Sequence, residues 1–569
     1  MDSKEEQLLK IRHSCSHVLA EAVQDLYKGV LLGIGPATHD GFYYDFGNLK
    51  ITSEDLPKIE KKMAEIIKKN ASFEKSIKTK KEAKTFLKGQ KYKLELLDEI
   101  EGEISFYKDG KFIDLCKGPH VKSLLEIGAF KLLSVAGAYW KGDEKKDMLT
   151  RIYGVAFETK KELDNFLVLR EEATKRDHRK LGRELELFMF NEIAPGAPFW
   201  LPKGMVMVKE LEALSREIHQ KYGYQEIATP IMVSYKLFER SGHLDHYKEN
   251  MFNVKVDKQD YYLKPMNCPE STLAYSNTLR SYRDLPLRLS EMGRVHRNEI
   301  SGVLGGLFRV RQFTQDDAHI YCTTEQVQQE VSGLLDLIKL FYSHFNFEIK
   351  FYLGTRPDKA LGEQAAWQDA QKALEVALKK NGIHFEVREK DGAFYGPNIN
   401  VYVKDALKRE WQLGTIQLDF QTPQRFELTY EGSDGKKHQV VMIHRAIFGS
   451  FERFVGVLIE HYAGHFPLWL SPVQVKIMTI NERNNDHAIK LYEKLRHSGI
   501  RSELDTRNET IAKKVRDAQL ERIPLMITIG DKEVEQDSVA LRTSQGKVIF
   551  GLKADKFISD TLEDIKQKR

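Results

Sequence analysis

Residues 294–321 read RVHRNEISGVLGGLFRVRQFTQDDAHIY. The run predicts a strand, a polar loop with three glycines and a second strand, with Arg297 and Glu299 on one arm and Arg309 and Phe313 on the other. In a hairpin these side chains face one another across the pleat. Two guanidinium groups and a ring on one surface suit a nucleoside triphosphate, because guanidinium pairs with phosphate oxygens and the ring stacks on the base. On chemistry alone any anion would fit, and an exposed basic hairpin is the competing reading.

Outward from this hairpin, residues 186–468 are rich in strand-like runs joined by short turns, among them NINVYVKD, WQLGTIQLDF and QVVMIH. They predict an antiparallel sheet with helices packed on it. Residues 1–158 mix helices and short strands. Residues 159–185 form a highly charged helical stretch, read as a solvated helix bridging two domains. From SPVQVKIMTI onward, residues 469–569 alternate strands and helices as a small α/β domain with a mixed sheet and a C-terminal helix. The expected class is therefore α+β and multidomain.

With 569 residues, 41% of them hydrophobic and 30% charged, the chain can build several cores. A net charge of +5 permits a nucleic-acid partner without demanding one. No apolar run approaches the ~18 residues of a membrane span, and the N-terminus has no secretory pattern. Cysteines 15, 116, 268 and 322 are too few and too scattered for a disulfide framework, so a cytoplasmic location is expected.

The hairpin becomes specific in company. HRNE at 296–299, Arg309 with Phe313, and GSFERF at 449–454 resemble the second and third signature motifs of class II aminoacyl-tRNA synthetases, and Pro230 sits where the first motif's proline would, at a homodimer interface. FTQDDAHIYC, GAFYGPNINV, WQLGTIQLDF and KPMNCP narrow the resemblance to the threonyl-tRNA synthetase family over essentially the whole chain. The resemblance implies ATP with Mg²⁺, L-threonine and tRNA(Thr) as partners. Arg297 would hold the α-phosphate, Glu299 the adenine amino group and Arg309 the γ-phosphate. Phe313 and Arg453 would cover the two faces of adenine. Gln412 would contribute to nucleotide binding and to positioning the substrate, alongside Gln315, Asp317, Tyr395 and Gln417.

Cys268, His319 and His444 lie 51 and 125 residues apart and carry no local metal signature. The resemblance makes them ligands of one Zn²⁺ whose fourth position takes the substrate. A site built around the threonine hydroxyl rejects valine by roughly 10⁴ or more, whereas serine, lacking only a methyl, is rejected by roughly 10- to 200-fold. Serine therefore needs a second check. The opening RHSCSHVLAEAV places His13 and His17 on one helix face, and DLCKGPHV carries Cys116 and His120 on a loop. They match an editing domain shared by threonyl- and alanyl-tRNA synthetases. Four such donors could hold zinc. The reading preferred here is metal-free, with the histidines and Asp114 or Lys93 positioning a water on a seryl-tRNA ester.

In the C-terminal domain Asn508, Arg516, Glu533 and Arg542 match positions that would read anticodon bases. Two departures from the family stand out. The ubiquitin-like domain usual at the N-terminus is not seen, and Asn398 replaces the lysine of YGPK, which removes a cation near the reacting groups. Lys404 and Lys408 are the nearby candidates to compensate. A tRNA- or mRNA-binding regulator would have broken nucleotide motifs, and a stand-alone editing hydrolase would need neither the zinc triad nor an anticodon domain.

Overall fold

The computed structural model describes residues 3–569. The chain divides into two compact units, one ending at Glu171 and the other spanning Glu172–Arg569, with the division inside the helix Lys160–Arg176.

In the first unit, the helix Ser3–Leu26 buries Ile11, Cys15, Val18, Leu19, Ala22 and Val23 completely. These positions recur every three or four residues, so they form one stripe. The stripe packs on an antiparallel sheet of strands 31–32, 42–47, 148–157 and 129–139, in that order. Each fully buried aliphatic side chain contributes about 1.5–3 kcal/mol to holding helix on sheet. A second antiparallel sheet, of strands 73–77, 105–109 and 112–115, carries Asp109 and Asp114.

The stretch expected to be a single solvated helix is two helices. Lys160–Arg176 ends at Asp177, whose carboxylate accepts the Arg179 N–H at 2.8 Å and caps a second helix, His178–Glu184. An aspartate that bonds its neighbours' backbone competes with helix continuation, which explains the break. The second helix is not solvated: His178, Leu181 and Gly182 are buried.

The second unit is built on an eight-stranded sheet in the order 225–226, 287–296, 312–322, 441–446, 410–419, 398–404, 348–354 and 385–388. All pairings are antiparallel except the outermost at each edge, which are parallel. Helices Val327–Ser343 and Phe451–Tyr462 lay almost fully buried apolar faces into its core. The strands Asn253–Val256 and Gln259–Leu263, inside the region expected to form one sheet, instead pair with Met232–Ser234 in a separate three-stranded sheet. The C-terminal part is a mixed five-stranded sheet, ordered 502–505, 475–479, 525–529, 538–543 and 548–553, followed by the helix Ala554–Lys566.

Candidate active sites

The strand Gln312–Cys322 runs through the first site and supplies four of its side chains. Period two puts Phe313, Gln315, Asp317 and His319 on one face. Its neighbour Val441–Ala446 is in register so that His444 lies directly beside His319, and the next strand sets Gln417 beside His444. Residues far apart in the chain thus form one row across three strands.

At one end of this face lies a cavity of about 380 Å³ lined by Arg297, Glu299, Arg309, Phe313, Gln412 and Arg453, among others. Arg297 and Arg309 are not cross-strand partners. The strands end at His296 and begin again at Gln312, and the intervening loop brings the arginines in. The Arg297 guanidinium lies 5.0 Å from the Phe313 ring centre, and Arg309 pairs with Glu299 at 2.9 Å. Arg453 comes from the first turn of Phe451–Tyr462, which Ser450 caps, and its Nε donates to the Phe308 carbonyl at 3.2 Å. Burial, and then Arg297 and Arg309, pull the Arg453 pKa down, so the cavity is charged for a polyanion.

A second cavity, of about 340 Å³, contains Cys268, His319, His444, Asp317, Tyr395 and Gln417 in its lining. Arg297, Gln315 and Thr415 line both cavities, so the two open onto one another. Donor atoms of Cys268, His319 and His444 lie within 4.8 Å of one another, and all three residues are buried. Burial drives the Cys268 thiol well up and His319 well down, with His444 the next contributor at His319. The set fits zinc: one sulfur and two imidazoles, with the His444 Nε2 tied to Asp419 at 2.9 Å, a carboxylate that orients the ring and leaves its other nitrogen for a metal. Cys268 opens the helix Cys268–Ser276, where backbone N–H groups favour a thiolate. Beside it, Asn267 donates to Asp317 at 3.1 Å, and that close approach needs Gly293, where a Cβ would meet the Asn267 side chain.

Several placements differ from expectation. Gln412 is exposed and lines the cavity of the arginines, not the one with the cysteine–histidine triad. A register shift opposite Val401 and Tyr402 makes a bulge at Leu413, which re-aims the strand between Gln412 and Thr415. Asn398 lines neither cavity; its amide nitrogen donates to the Asp391 carbonyl at 3.1 Å. Lys404 pairs with Glu348 at 3.2 Å, and among the described residues no lysine, Lys404 and Lys408 included, lines either cavity. Thr415, Asp419 and Asn267 were not anticipated. Period two along WQLGTIQLDF puts Thr415, Gln417 and Asp419 on one face, a signal present in the sequence.

In the first unit, His13, His17, Cys116 and His120 converge, with donor atoms again within 4.8 Å. The Cys116 Sγ lies 3.2 Å from His13 Nε2 and 3.3 Å from His120 Nε2. Residues 116–120 belong to no helix or strand, and Ser14, between the two helix histidines, holds the loop: its Oγ accepts the Val121 N–H at 3.0 Å and lies 3.1 Å from His120 Nδ1. Phe73 stacks on His120 with ring centres 4.4 Å apart. Lys93 and Asp114 form a buried ion pair at 2.7 Å, and the Tyr44 hydroxyl donates to the same carboxylate at 2.6 Å. Burial lowers the pKa values of all three histidines and pushes the Cys116 thiol up to about 11.

The four C-terminal candidates do not meet in a pocket. Asn508 and Glu533 follow the ends of the parallel strands 502–505 and 525–529, Arg516 is exposed on the helix Ile511–Leu520, and Arg542, near the end of strand 538–543, pairs opposite Met526. Among the described residues no hydrogen bond or ion pair joins any two of them. Glu533 instead accepts the Gly530 N–H at 2.9 Å.

This antiparallel sheet, with its arginines and buried cysteine–histidine triad, has the architecture of a class II aminoacyl-tRNA synthetase. The family model for the class II core domain (G, H, P, S and T) matches residues 252–462, that for the anticodon binding domain residues 474–563, and that for the threonyl and alanyl tRNA synthetase second additional domain residues 104–153. Threonine–tRNA ligases of Caldanaerobacter subterraneus subsp. tengcongensis and Thermotoga maritima are 53% and 51% identical, each over 98% of this chain, covering 87% and 88% of their own lengths. A crystal structure of the RNA binding domain of threonyl-tRNA synthetase from Cryptosporidium parvum is similar over 68% of this chain and 98% of its own, with 41% identity and a TM-score of 0.66. The chain belongs to the threonine–tRNA ligase family.

Proposed function

We propose that the chain activates L-threonine with ATP and Mg²⁺, transfers it to tRNA(Thr), and hydrolyses seryl-tRNA(Thr) at a second site. The observation that carries the first part is the junction of the two cavities at Arg297, Gln315 and Thr415. A nucleotide in one and an amino acid in the other would present carboxylate to α-phosphorus there. Arg297 neutralises the α-phosphate as the carboxylate attacks, pyrophosphate leaves, and Arg309 holds its terminal phosphate. Arg309 and Glu299 part from one another to reach phosphate and adenine. Phe313 and Arg453 sandwich the base. Since no side chain bonds covalently to the substrate, rate comes from positioning and charge neutralisation.

Cys268, His319 and His444 would hold zinc, which when bound supplies a Lewis-acid position for the substrate amino and hydroxyl groups. Asp317, fixed by Asn267, would receive the ammonium group, and Gln315, Tyr395 and Gln417 would close around the side chain. In the first unit burial keeps His13, His17 and His120 neutral, with lone pairs to orient and accept a proton from water. A thiol titrating near 11 stays protonated, so Cys116 assists as a weak donor rather than attacking. Lys93 and Asp114 would grip the ester end. Asn508, Arg516, Glu533 and Arg542 would read anticodon bases singly across a surface. The functional divisions would be 1–158 editing, 159–185 connecting, 186–468 catalytic and 469–569 anticodon-binding. The chain would act as a homodimer through the surface at Pro230, where Ile231 and Met232 expose large apolar side chains. Four free cysteines accord with a cytoplasmic location.

Threonine-dependent pyrophosphate exchange and deacylation of preformed seryl-tRNA(Thr) test the two halves. Cys268→Ala should abolish only exchange, and His13→Ala with His17→Ala only deacylation. A wild-type chain that deacylates without exchanging would restrict the function to editing.

A further inference from the structure

His178, at the start of the second connecting helix, is buried and lies in neither cavity, yet it touches the nucleotide-side loop directly. Its ring Nε2 accepts the backbone N–H of Leu307 at 3.0 Å. On its other side Nδ1 lies 2.7 Å from the Glu460 carboxylate, which also accepts the His178 backbone N–H at 3.0 Å. A backbone N–H can only donate, so Nε2 carries no proton and Nδ1 donates to Glu460, which fixes the tautomer. Glu460 is itself held by Arg409, which bonds Asp405 as well.

The loop segment that His178 holds is short and specific. Gly306 sits with φ +55°, and a Cβ there would meet the His178 ring. Phe308 packs its ring 4.1 Å from the imidazole and 4.3 Å from Trp411, lines the nucleotide-side cavity, and offers its carbonyl to Arg453. Arg309 is the next residue.

We propose that His178 is a positioning residue for nucleotide binding: held by Glu460, it fixes the 306–309 turn through the Leu307 N–H and so presents Phe308, Arg309 and the Arg453 contact to ATP. The proposal rests on the activation reading above, because the turn matters only if ATP binds beside it. Among the described residues no other group accepts that N–H; the turn's own backbone bonds, Gly305 N–H to the Arg309 carbonyl and Phe308 N–H to the Gly305 carbonyl, close it on itself, and the imidazole is what ties it to the core.

His178→Asn keeps a donor near Nδ1 for Glu460 and removes the acceptor for Leu307; His178→Gln returns an acceptor near Nε2. In His178→Asn, the KM for ATP in pyrophosphate exchange and the calorimetric Kd for ATP should both rise by roughly five- to tenfold, the size of one lost hydrogen bond. The KM for threonine and deacylation of seryl-tRNA(Thr) should not move. His178→Gln should recover most of the ATP affinity. The Leu307 amide should exchange with deuterium faster in His178→Asn than in the wild type. The proposal is overturned if ATP affinity and Leu307 exchange are unchanged in His178→Asn, or if ATP and threonine constants worsen together with no rescue by Gln. Should the variants not fold, the wild type decides: a Leu307 amide exchanging as fast as that of Gly306 overturns the proposal, and a slower one supports it. A wild type that binds ATP but shows no exchange would instead sink the activation reading and leave this test standing.

Discussion

Single side chains decide much of the chemistry here, and their partners say which. His444 can offer a metal its free nitrogen because Asp419 holds the other. Asp419→Asn should weaken zinc affinity by about 10- to 100-fold, read by competition with a chromogenic chelator. The Asn398 amide nitrogen bonds the Asp391 carbonyl and the side chain lines neither cavity, so Asn398→Ala should change the exchange rate by less than roughly threefold; a tenfold loss would put that amide in the reaction. Asp109 makes a different kind of prediction. It is buried, neither carboxylate oxygen has a hydrogen-bond partner, and burial, then Glu21, raise its pKa to about 8. The folded state therefore keeps a proton that the unfolded chain releases near pH 4, and stability falls as pH rises from about 4 towards 8. Asp109→Asn should remove that slope and melt higher than the wild type at pH 8, by about 1–3 kcal/mol in urea titrations.

At the level of elements, the register of three strands is the device that makes a site. It is locked from behind by Asp316, on the opposite face of Gln312–Cys322. Its carboxylate accepts the Ile447 and Phe448 N–H groups at 3.0 and 2.9 Å, and its carbonyl accepts from the fully buried Arg445 at 2.7 Å. Burial raises the Asp316 pKa to about 7, against the pull of Arg445. Asp316→Ala would leave Arg445 buried without a carboxylate partner and should cost about 3–5 kcal/mol in chemical denaturation, with exchange falling because the His319 and His444 strands lose their clamp. The break at Asp177 works on the same scale. One capping carboxylate turns a charged helix into two and brings His178 to the core.

For the whole molecule, the two proposed chemistries fall in two compact units. Removing zinc should silence exchange and leave seryl-tRNA(Thr) deacylation intact, with each activity measured before and after dialysis against a chelator and after zinc is restored. Loss of deacylation on the same treatment, with recovery on zinc, would mean that His13, His17, Cys116 and His120 hold a metal. Because the sites share no side chains, effects of the Cys268 and the His13/His17 substitutions on stability should add within about 0.5 kcal/mol.

The order of strands and helices, the two histidines on one helix face and the alternating polar row of FTQDDAHI follow from periods of 3.6 and 2, which are local properties of a chain. The family motifs are legible for a different reason: each is a contiguous run whose resemblance to the family needs no fold to be seen. The cysteine–histidine triad is not local: nothing in the spacing of Cys268, His319 and His444 joins them, and the pairing of Gln312–Cys322 with Val441–Ala446 sets the two histidines side by side. The bulge that gives Gln412 to the nucleotide side, the Asp177 break and the bonds of His178 to Glu460 and Leu307 likewise arise from contacts between distant segments. Packing and register decide them, because a side chain's partner across a sheet or core depends on which backbone the fold lays beside it.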